Sequence, residues 1–302
     1  MGVITRSNHP AALWPGVNAH FGQSYNEYPL QYKKVFKMET SKKHYEEDVE
    51  RTGFGLAPIK PEGSAIQYDF DKEGYKQRYR HAVISSGYVV TREEMEDNQY
   101  YEKSKQRSGD LAFAMRQTKE VIHANHFNRA FDANTPIGTG KAMCALDHPT
   151  LNGAQRNTLL VPADLSEPAL EDMLIDIRQI RNSRGLKIAV KGLCLIVPDQ
   201  LTFTAERIIK TNLRVGTDLN DVNAIKSQGL LPQGIHTWTY LTDNDAWFVK
   251  TDIPHGLKTF QRRALEFKRD NDFDTDNAKA KSSERYSCGI SDWRGVFGSP
   301  GA

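Results

Sequence analysis

The sequence predicts an α+β fold in which an extended β-hairpin leads into one very long helix. An alternating segment, Ile66–Phe70, is followed by a turn at Asp71–Gly74 and a returning strand at Tyr75–Val83. No proline interrupts the stretch from Thr91 to Phe131, which therefore favours one long helix. Strand and helix patterns mix after that point, which indicates a compact α+β region.

The composition is polar for a compact monomer. The chain has 302 residues, of which 38% are hydrophobic, and its mean hydropathy is −0.61. A chain with so little apolar content either remains partly extended or buries its surface against copies of itself. Lys and Arg total 40 against 38 Asp and Glu, for a net charge of +2. This balance argues against a dedicated nucleic-acid binder but allows a wall that encloses DNA.

The cysteines and the apolar runs indicate the compartment. Cys144, Cys194 and Cys288 are far apart and odd in number, so we expect neither a disulfide framework nor a zinc site. A reducing compartment such as the bacterial cytoplasm fits this pattern. The first residues lack the features of a signal peptide. The longest apolar run, Ile188–Val197, suits buried strands, and no membrane partner is expected.

Residues 1–29 read as an extended arm. They are rich in Asn, His, Pro and Gly without a sustained period, yet Trp14, Phe21, Tyr25 and Tyr28 make them too aromatic for a disordered tail. We expect the arm to lie on its own domain or on a neighbour. A strand is predicted at Tyr32–Met38.

The hairpin is the candidate contact surface. A Gly- and Pro-rich stretch, Gly53–Ser64, precedes it and excludes a helix there. Two isolated strands are marginal in water, so a hairpin this polar must rest on another surface. Its charged residues are the predicted intersubunit contacts: Asp69, Asp71, Lys72, Glu73, Lys76, Arg78 and Arg80.

The long helix begins with a capping box. Thr91 is the predicted N-cap and Glu94 lies three residues later. About 40 helical residues would span roughly 60 Å, far more than an average helix. Its first half, Glu93–Arg107, is almost wholly polar, so it is either solvated or packed on other subunits. A break in the helix at Gly109 remains an alternative to one continuous helix.

The remaining elements are shorter. Ser166 is predicted to cap a second helix with Pro168 in its first turn and Gly185 at its end. The further predictions are a strand at Leu186–Val197, a helix at Ala205–Lys210, a strand pair at Ile235–Leu241 and Ala246–Lys250, and an element of ambiguous type at Thr259–Arg269.

Two patterns resemble ligand sites, and both have simpler interpretations. His123 and His126 lie three residues apart on the long helix near Glu120, but no further acidic residue follows at a matching spacing. Two polar residues on a helix face are the favoured interpretation. Gly138–Lys141 resembles the end of a phosphate loop, but Ala142 replaces the Ser or Thr that holds magnesium, and a plain turn is favoured.

A third pattern could be imagined as catalytic. Asp147 and His148 could act as an acid–base pair with Cys144 as nucleophile. Adjacent residues seldom face one another, so a structural loop is favoured. We therefore predict no catalytic, cofactor-binding or metal-binding residues, no cofactor and no enzyme activity.

The order of these elements resembles the major capsid proteins of tailed bacteriophages, a fold shared with encapsulin shells. Tyr88–Asp97 resembles that family's entry into its spine helix. Gly140–Cys144, Asp147–Pro149 and Gly153–Asn157 resemble its post-spine loop. Asp292–Gly295 resembles its C-terminal close. The resemblance covers nearly the whole chain.

The resemblance implies a particular domain organisation. Residues 1–52 would be the N-terminal arm and first strand, and residues 53–83 the extended hairpin loop that overlies a neighbour. Residues 84–186 would be the peripheral domain with the spine helix, and residues 187–250 the axial α/β domain. Residues 251–302 would return to the peripheral domain and form the C-terminal tail.

The resemblance also implies the function and the partners. The chain would form hexamers and pentamers of an icosahedral virion head that encloses double-stranded DNA without sequence-specific binding, assembled in the bacterial host cytoplasm. A portal and a possible decoration protein are expected. No helical scaffolding segment precedes the arm, and Met1 favours a separate scaffolding protein over a removed segment. Some members of the family crosslink a hairpin lysine to an asparagine of a neighbouring subunit. Lys72 or Lys76 could serve here, but no asparagine partner is identifiable, so the bond is not predicted.

Other classes of protein remain open at this point. An encapsulin-type nanocompartment would assemble alone around a protein cargo, and a minor head or decoration protein would share the fold. An enzyme would use the loop around Cys144 and His148. A DNA-binding module would bind duplex in a salt-dependent way.

Overall fold

The computed structural model describes residues 14–27, 29–91, 93–94, 100–213, 221–271 and 277–302. Its helices are α1 (Trp14–Asn26), α2 (Tyr32–Val35), α3 (Tyr100–Asn128), α4 (Glu167–Gln179), α5 (Thr202–Lys210) and α6 (Ala224–Ser227). Its strands are β1 (Lys37–Thr40), β2 (Tyr45–Arg51), β3 (Glu73–Arg80), β4 (Ala82–Val90), β5 (His148–Thr150), β6 (Gly153–Gln155), β7 (Gly192–Val197), β8 (Ile235–Thr237), β9 (Trp247–Thr251), β10 (Leu257–Asn271), β11 (Ala278–Ile290) and β12 (Val296–Ser299). The predicted α+β class is confirmed.

The first sheet is built on a long antiparallel ribbon. Its strand order is β1–β10–β11–β4, with β10 and β11 paired from Leu257 opposite Ile290 to Asn271 opposite Ala278. Every second residue of β11 from Ala278 to Tyr286 is buried. One face of a strand carries alternate residues, so this pattern shows that a single face of the ribbon is covered. Helices α1 and α3 provide that cover.

The long helix α3 lies across the ribbon. Its 29 residues span about 44 Å, and it passes through Gly109 without a break. At Gly109 a Cβ would lie 3.3 Å from the His20 ring, so the glycine allows α1 to approach closely. The predicted cap is also present, because the Glu94 backbone N–H donates to Thr91 Oγ1 over 3.4 Å. None of the helices described here is both long and apolar enough to cross a membrane.

A buried ion pair fixes α3 on the ribbon. Lys119 of α3 lies 2.6 Å from the carboxylate of Glu284 on β11, and both side chains are almost fully buried. The Lys119 ammonium also lies 4.7 Å from the centre of the Tyr286 ring. A buried charge is costly unless it is closely paired, so this contact favours one placement of the helix on the ribbon.

The second sheet has both faces covered. Its order is β12–β9–β7–β8. Trp247 and Val249 face a cluster with α4 and α5, while Phe248 faces a second cluster with α2 and the end of α3. Successive residues of a strand point to opposite faces, so β9 joins the two clusters. Strand β12 lies in this sheet although it comes from the C-terminal residues.

Four strand predictions need correction. The segment predicted as the strand Tyr32–Met38 contains helix α2 before β1 begins. The segment Ile66–Phe70 is irregular, and the outgoing strand of the hairpin is β2 instead. Strands β8 and β9 do not pair with each other, because β7 lies between them. Strand β7 begins only at Gly192, after a residue with positive φ, Ala189. The ambiguous element at Thr259–Arg269 belongs to β10.

The arm and two helix ends also differ from expectation. Residues 1–13 and 28 of the predicted extended arm lie outside the described residues, but α1 within the arm is helical. Phe21 of α1 is buried and packs 4.8 Å from the Phe267 ring, so the arm lies on its own chain there. The predicted long helix ends at Asn128, short of Phe131, and its residues 92 and 95–99 are not among those described. Helix α4 ends at Gln179, and Gly185 belongs to the following turn.

We predict that Ser166→Ala lowers the free energy of unfolding by about 1 kcal/mol. Ser166 has extended backbone angles, and its hydroxyl accepts a hydrogen bond from the Ala169 N–H. Removal of the hydroxyl leaves this N–H of the helix without its partner. Chemical denaturation measures the change. Ser166→Asp, which retains an acceptor, should restore most of the loss, and equal losses in both variants would contradict the capping role.

Candidate assembly surfaces

The hairpin has almost no core of its own. Strands β2 and β3 are antiparallel, from Tyr45 opposite Arg80 to Arg51 opposite Glu73. Residues 52–72, which we call the apolar loop, join them without helix or strand. Tyr79 is the one residue of the two strands that is fully buried. The hairpin therefore depends on contacts at its base to hold its direction.

The first of these contacts is a buried lysine. Lys258 Nζ of β10 donates to Asp48 Oδ2 of β2 over 2.6 Å. Ser291 donates to the same carboxylate oxygen, and Tyr79 OH lies 2.5 Å from Ser291 Oγ. Burial alone would raise the pKa of Asp48, but the hydrogen bonds from Lys258 and Ser291 outweigh it and lower the pKa. Asp48 is therefore held as a carboxylate bridge between hairpin and ribbon.

The second contact is a buried arginine. Arg294 is 2% exposed and donates to Glu50 Oε1 of β2 and to Asp292, each over 3.2 Å. Its Nε donates to the Arg181 carbonyl over 3.0 Å, and its guanidinium lies 4.5 Å from the Trp293 ring centre. A planar, fully hydrogen-bonded guanidinium tolerates burial better than an ammonium. The loop end of β2 is thus clamped to the C-terminal residues.

The ends of the apolar loop are held together by carboxylates. Asp71 accepts from the Gly53 N–H over 2.8 Å, and Asp69 accepts from the Gly55 N–H over 2.7 Å. These hydrogen bonds lower the pKa of both carboxyl groups. Arg184, which follows α4, pairs with Asp69 at 3.4 Å. The loop is therefore closed at its base and attached to the body of the subunit.

The apolar loop carries large apolar side chains that the described residues of its own chain do not cover. Six of them are between 60% and 96% exposed. A monomeric protein seldom exposes so many large apolar groups in one segment, and such a surface marks an interaction site. The six residues are Phe54, Leu56, Ile59, Ile66, Tyr68 and Phe70.

The predicted contact residues are all exposed, but several are engaged within the chain. Asp69 and Asp71 close the loop, and Asp71–Gly74 is not the hairpin tip, because Glu73 already begins β3. The other members are distributed along the loop end and β3. Lys72 lies over the Phe70 ring, Arg78 pairs with Glu47 at 2.6 Å, and Glu73, Lys76 and Arg80 are exposed. Their contacts with a neighbour stay a prediction.

The sequence prediction emphasised charge and missed the apolar residues. Phe54, Leu56 and Ile59 occur between glycines and prolines without a period of 2 or 3.6. Apolar residues that no helix or strand can bury were the available signal.

The histidines of α3 are structural. His123 Nδ1 donates to the Lys119 carbonyl over 2.6 Å, and its Nε2 accepts from Thr259 Oγ1 over 2.9 Å. Burial lowers the pKa of His123 to about 3 and that of His126 to about 4. Glu120 accepts from the backbone N–H groups of Gln31 and Tyr32 instead of joining a metal site. Within the described ranges, no cluster of three metal-ligating side chains occurs.

The loop after α3 is also structural. At Gly138 a Cβ would lie 2.7 Å from the Lys76 carbonyl oxygen, so the glycine serves packing against β3. Asp147 pairs with Lys141 at the surface. The side chain of Cys144 is buried, and this burial raises the pKa of its thiol. His148 is buried and stacked 4.4 Å from the Trp293 ring. The favoured non-catalytic interpretation agrees with this geometry.

Asn157 is the centre of a buried hydrogen-bond network. Its amide nitrogen lies 2.8 to 3.0 Å from the carbonyl oxygens of Met143, Trp293 and Val296. Its Oδ1 accepts from the Ala145 N–H and from His148 Nε2. The three segments that resembled the post-spine loop therefore meet the segment that resembled the C-terminal close. No local pattern in the sequence predicts this meeting.

Several solved structures have a fold similar to that of this chain. A chain of Mycobacterium phage Patience matches at a TM-score of 0.54 and 10% identity, with 98% of this chain and 88% of that chain covered. The capsid of an empty GTA particle matches at a TM-score of 0.54 and 9% identity, with 89% of this chain and 88% of that chain covered. The virus-like particle from Pyrococcus furiosus matches at a TM-score of 0.51 and 11% identity, with 93% of this chain and 97% of that chain covered. The fold is that of the phage major capsid proteins.

Sequence comparison identifies the family. A family model described as phage capsid protein matches residues 74–298, which is most of the chain. The chain belongs to the phage capsid protein family, and the expected resemblance is confirmed. Among curated proteins, no sequence match was found.

We predict that Asn157→Ala lowers the free energy of unfolding by about 3 kcal/mol or more. The substitution leaves several buried carbonyl and N–H groups without partners, each at a cost of about 1–3 kcal/mol. Thermal and chemical unfolding of the unassembled subunit measure the loss. The exposed Asn152, in the turn between β5 and β6, provides the matched Asn152→Ala control. A loss under 1 kcal/mol would contradict the central role of Asn157.

We predict that His148 makes the subunit less stable in mild acid. Burial lowers the pKa of His148 to about 4 from 6.5. As the pH falls, the unfolded chain binds the proton before the folded chain does. The contribution of His148 to the free energy of unfolding is therefore fully present above pH 6.5, and the free energy falls by at most about 3 kcal/mol towards pH 4. In His148→Gln the slope of unfolding free energy against pH should flatten. His255→Gln, at an exposed site, controls for loss of a histidine, and equal slopes in wild type and His148→Gln would refute the assignment.

Proposed function

We propose that this phage capsid protein is the major shell subunit of a tailed-phage head. In this proposal it assembles as hexamers and pentamers into an icosahedral shell around double-stranded DNA. The observation that carries the proposal is the apolar loop, whose strands are clamped to the body and whose large apolar side chains have no cover within the described chain. Burial of such a surface against copies of the chain supplies the stability that the monomer lacks.

The charge balance fits this role. A net charge of +2 gives no strong attraction to one DNA sequence or to DNA in general. A wall that encloses DNA without sequence-specific binding needs only to avoid repulsion. Assembly in the host cytoplasm agrees with the reduced Cys144, Cys194 and Cys288. A separate scaffolding protein, a portal and a decoration protein stay predictions.

We also propose that the chain is not an enzyme. In His148 both ring nitrogens are hydrogen-bonded, Nε2 to Asn157 and Nδ1 to Thr139. The side chain of Cys144 is buried, and its raised thiol pKa disfavours the reactive thiolate. Neither residue is available to a substrate without local unfolding.

A nanocompartment is the second candidate function. The match to the virus-like particle from Pyrococcus furiosus covers nearly all of both chains. Particles purified from infected or expressing cells distinguish the two functions by their content. Packaged double-stranded DNA supports the phage head, and a protein cargo in shells made from this chain alone supports the nanocompartment.

We predict that Leu56→Ser with Ile59→Ser prevents shell formation. Both side chains are almost fully exposed in the subunit, so the unfolding free energy should change by less than about 0.5 kcal/mol. Sedimentation velocity and negative-stain microscopy compare assembly with wild type. The control, Leu56→Met with Ile59→Val, retains apolar surface and should assemble. Normal particles from the serine variant would contradict the proposed contact.

A further inference from the structure

Strand β4 presents a long, unprotected sheet edge. It runs for nine residues, Ala82–Val90, and pairs only with β11 in an uninterrupted register. Its outward backbone groups make no hydrogen bond to any residue that the structure describes. It contains no charge and no proline, and it carries no bulge. Natural edge strands usually use one of these devices to avoid pairing with other chains.

The other sheet edges are protected. The opposite edge of the same sheet, β1, has four residues, and two of them are Lys37 and Glu39. Edges β8 and β12 of the second sheet have three and four residues. Short or charged edges are poor templates for an added strand. Strands β2 and β3 of the hairpin carry several charges each, and β5 and β6 have three residues each. Among the described sheets, β4 is therefore the long edge without a charge.

The inner face of β4 is also incompletely covered. Residues at alternate positions point to the face where α1 and α3 pack. On that face Ile84 and Tyr88 are only half-buried at the rim of a cluster with Leu111 and Met115, and Ser86 between them is exposed. An apolar strand beside β4 would complete this face.

The chain also contains a strand pattern that has no partner. Ile66, Tyr68 and Phe70 alternate with Gln67 and Asp69, as in a half-buried strand. All three apolar side chains are at least 60% exposed, and the segment is irregular. The backbone of residues 66–68 makes no hydrogen bond to the described part of the chain.

This segment is held far from β4 of its own subunit. Asp69 and Asp71 fix it beside Gly55 and Gly53, at the end of β3 remote from β4. Strand β3 has eight residues, so the two places are about 25 Å apart. Pairing within one chain would require the loop closure to break. Any pairing between these two elements therefore needs a second copy of the chain.

We propose that residues 66–69 of one subunit add as a strand to the free edge of β4 in a second copy. This inference rests on the proposed shell function and assigns its contact. Ile66 and Tyr68 face inward over Ile84 and Tyr88, while Gln67 faces outward. Phe70 retains its contacts with Arg184. Main-chain hydrogen bonds supply affinity, and the apolar side chains fix the register.

The contact is head-to-tail. The donor segment and the acceptor edge are different surfaces of one chain, so each subunit can give to one neighbour and receive from another. Repetition of such a contact forms a closed ring when the rotation permits. Two copies of β4 paired with each other would instead form a symmetric dimer and would leave the donor segments uncovered.

A proline substitution tests the donor. Gln67→Pro removes a backbone N–H that has no partner in the described part of the subunit, and Gln67→Ala is the matched control. We expect both variants to fold with the wild-type melting temperature. Only Gln67→Pro should lose at least nine-tenths of the particles in sedimentation velocity. Equal particle yields would overturn the proposal.

Thiol crosslinking tests the pairing itself. Gln67→Cys and Ser85→Cys, both outward-facing in the proposed arrangement, are prepared separately and co-assembled with a short thiol-to-thiol crosslinker. Linked dimers in the mixture, but not in either variant alone or in wild type, are the expected result. Dimers from Ser85→Cys alone would show that β4 meets β4, and unlinked particles from the mixture would also overturn the proposal.

The two proposals fail in different ways. If wild-type subunits form shells but Gln67→Pro subunits do so equally well, the strand contact is wrong and the shell function stands. If wild-type subunits form neither rings nor shells in cells that also produce the accompanying phage proteins, the shell function itself is wrong.

Discussion

The direction of the hairpin depends on two buried cations, Lys258 and Arg294. Each contacts a carboxylate of β2, Asp48 or Glu50, and each has further hydrogen bonds or an aromatic face beside it. Charges buried in this way are costly when incomplete and stable when every partner is present. The clamp therefore replaces the hydrophobic core that two polar strands cannot form. It allows an otherwise marginal hairpin to present a large exposed apolar surface.

A second polar centre, around Asn157, joins separate segments within the body of the subunit. Asn157 connects the loop after α3 with the C-terminal residues Trp293 and Val296, and His148 stacks on Trp293 within the same network. Residues that could have suggested catalysis are used here as neutral, fully bonded structural groups. Polar networks in a core specify one arrangement because any other leaves a partner unsatisfied. Capsomer contacts need such rigid bodies, since small angular errors accumulate around a shell.

Local patterns predicted the elements that local forces determine. The caps at Ser166 and Thr91 and the uninterrupted α3 follow from neighbouring residues alone. Pairing between distant segments could not be predicted. Strand β2 pairs with β3 across the 52–72 loop, and β7 separates β8 from β9. Ile66–Phe70 has a strand pattern but no strand partner among the residues that the structure describes. The seven charged contact residues stay a prediction. The exposed apolar residues beside them were missed, because charge is visible in a sequence whereas uncovered apolar surface depends on the fold.

The clamp also has a consequence for the order in which the protein is made. Glu50 meets Arg294, which lies 244 residues later in the chain. At 5–20 residues per second, a ribosome needs roughly 12–50 s to synthesise the interval. During that time the hairpin strands are already synthesised but lack their clamp. A nascent chain, or one truncated before Arg294, therefore has the hairpin strands without the arginine contact that orients them.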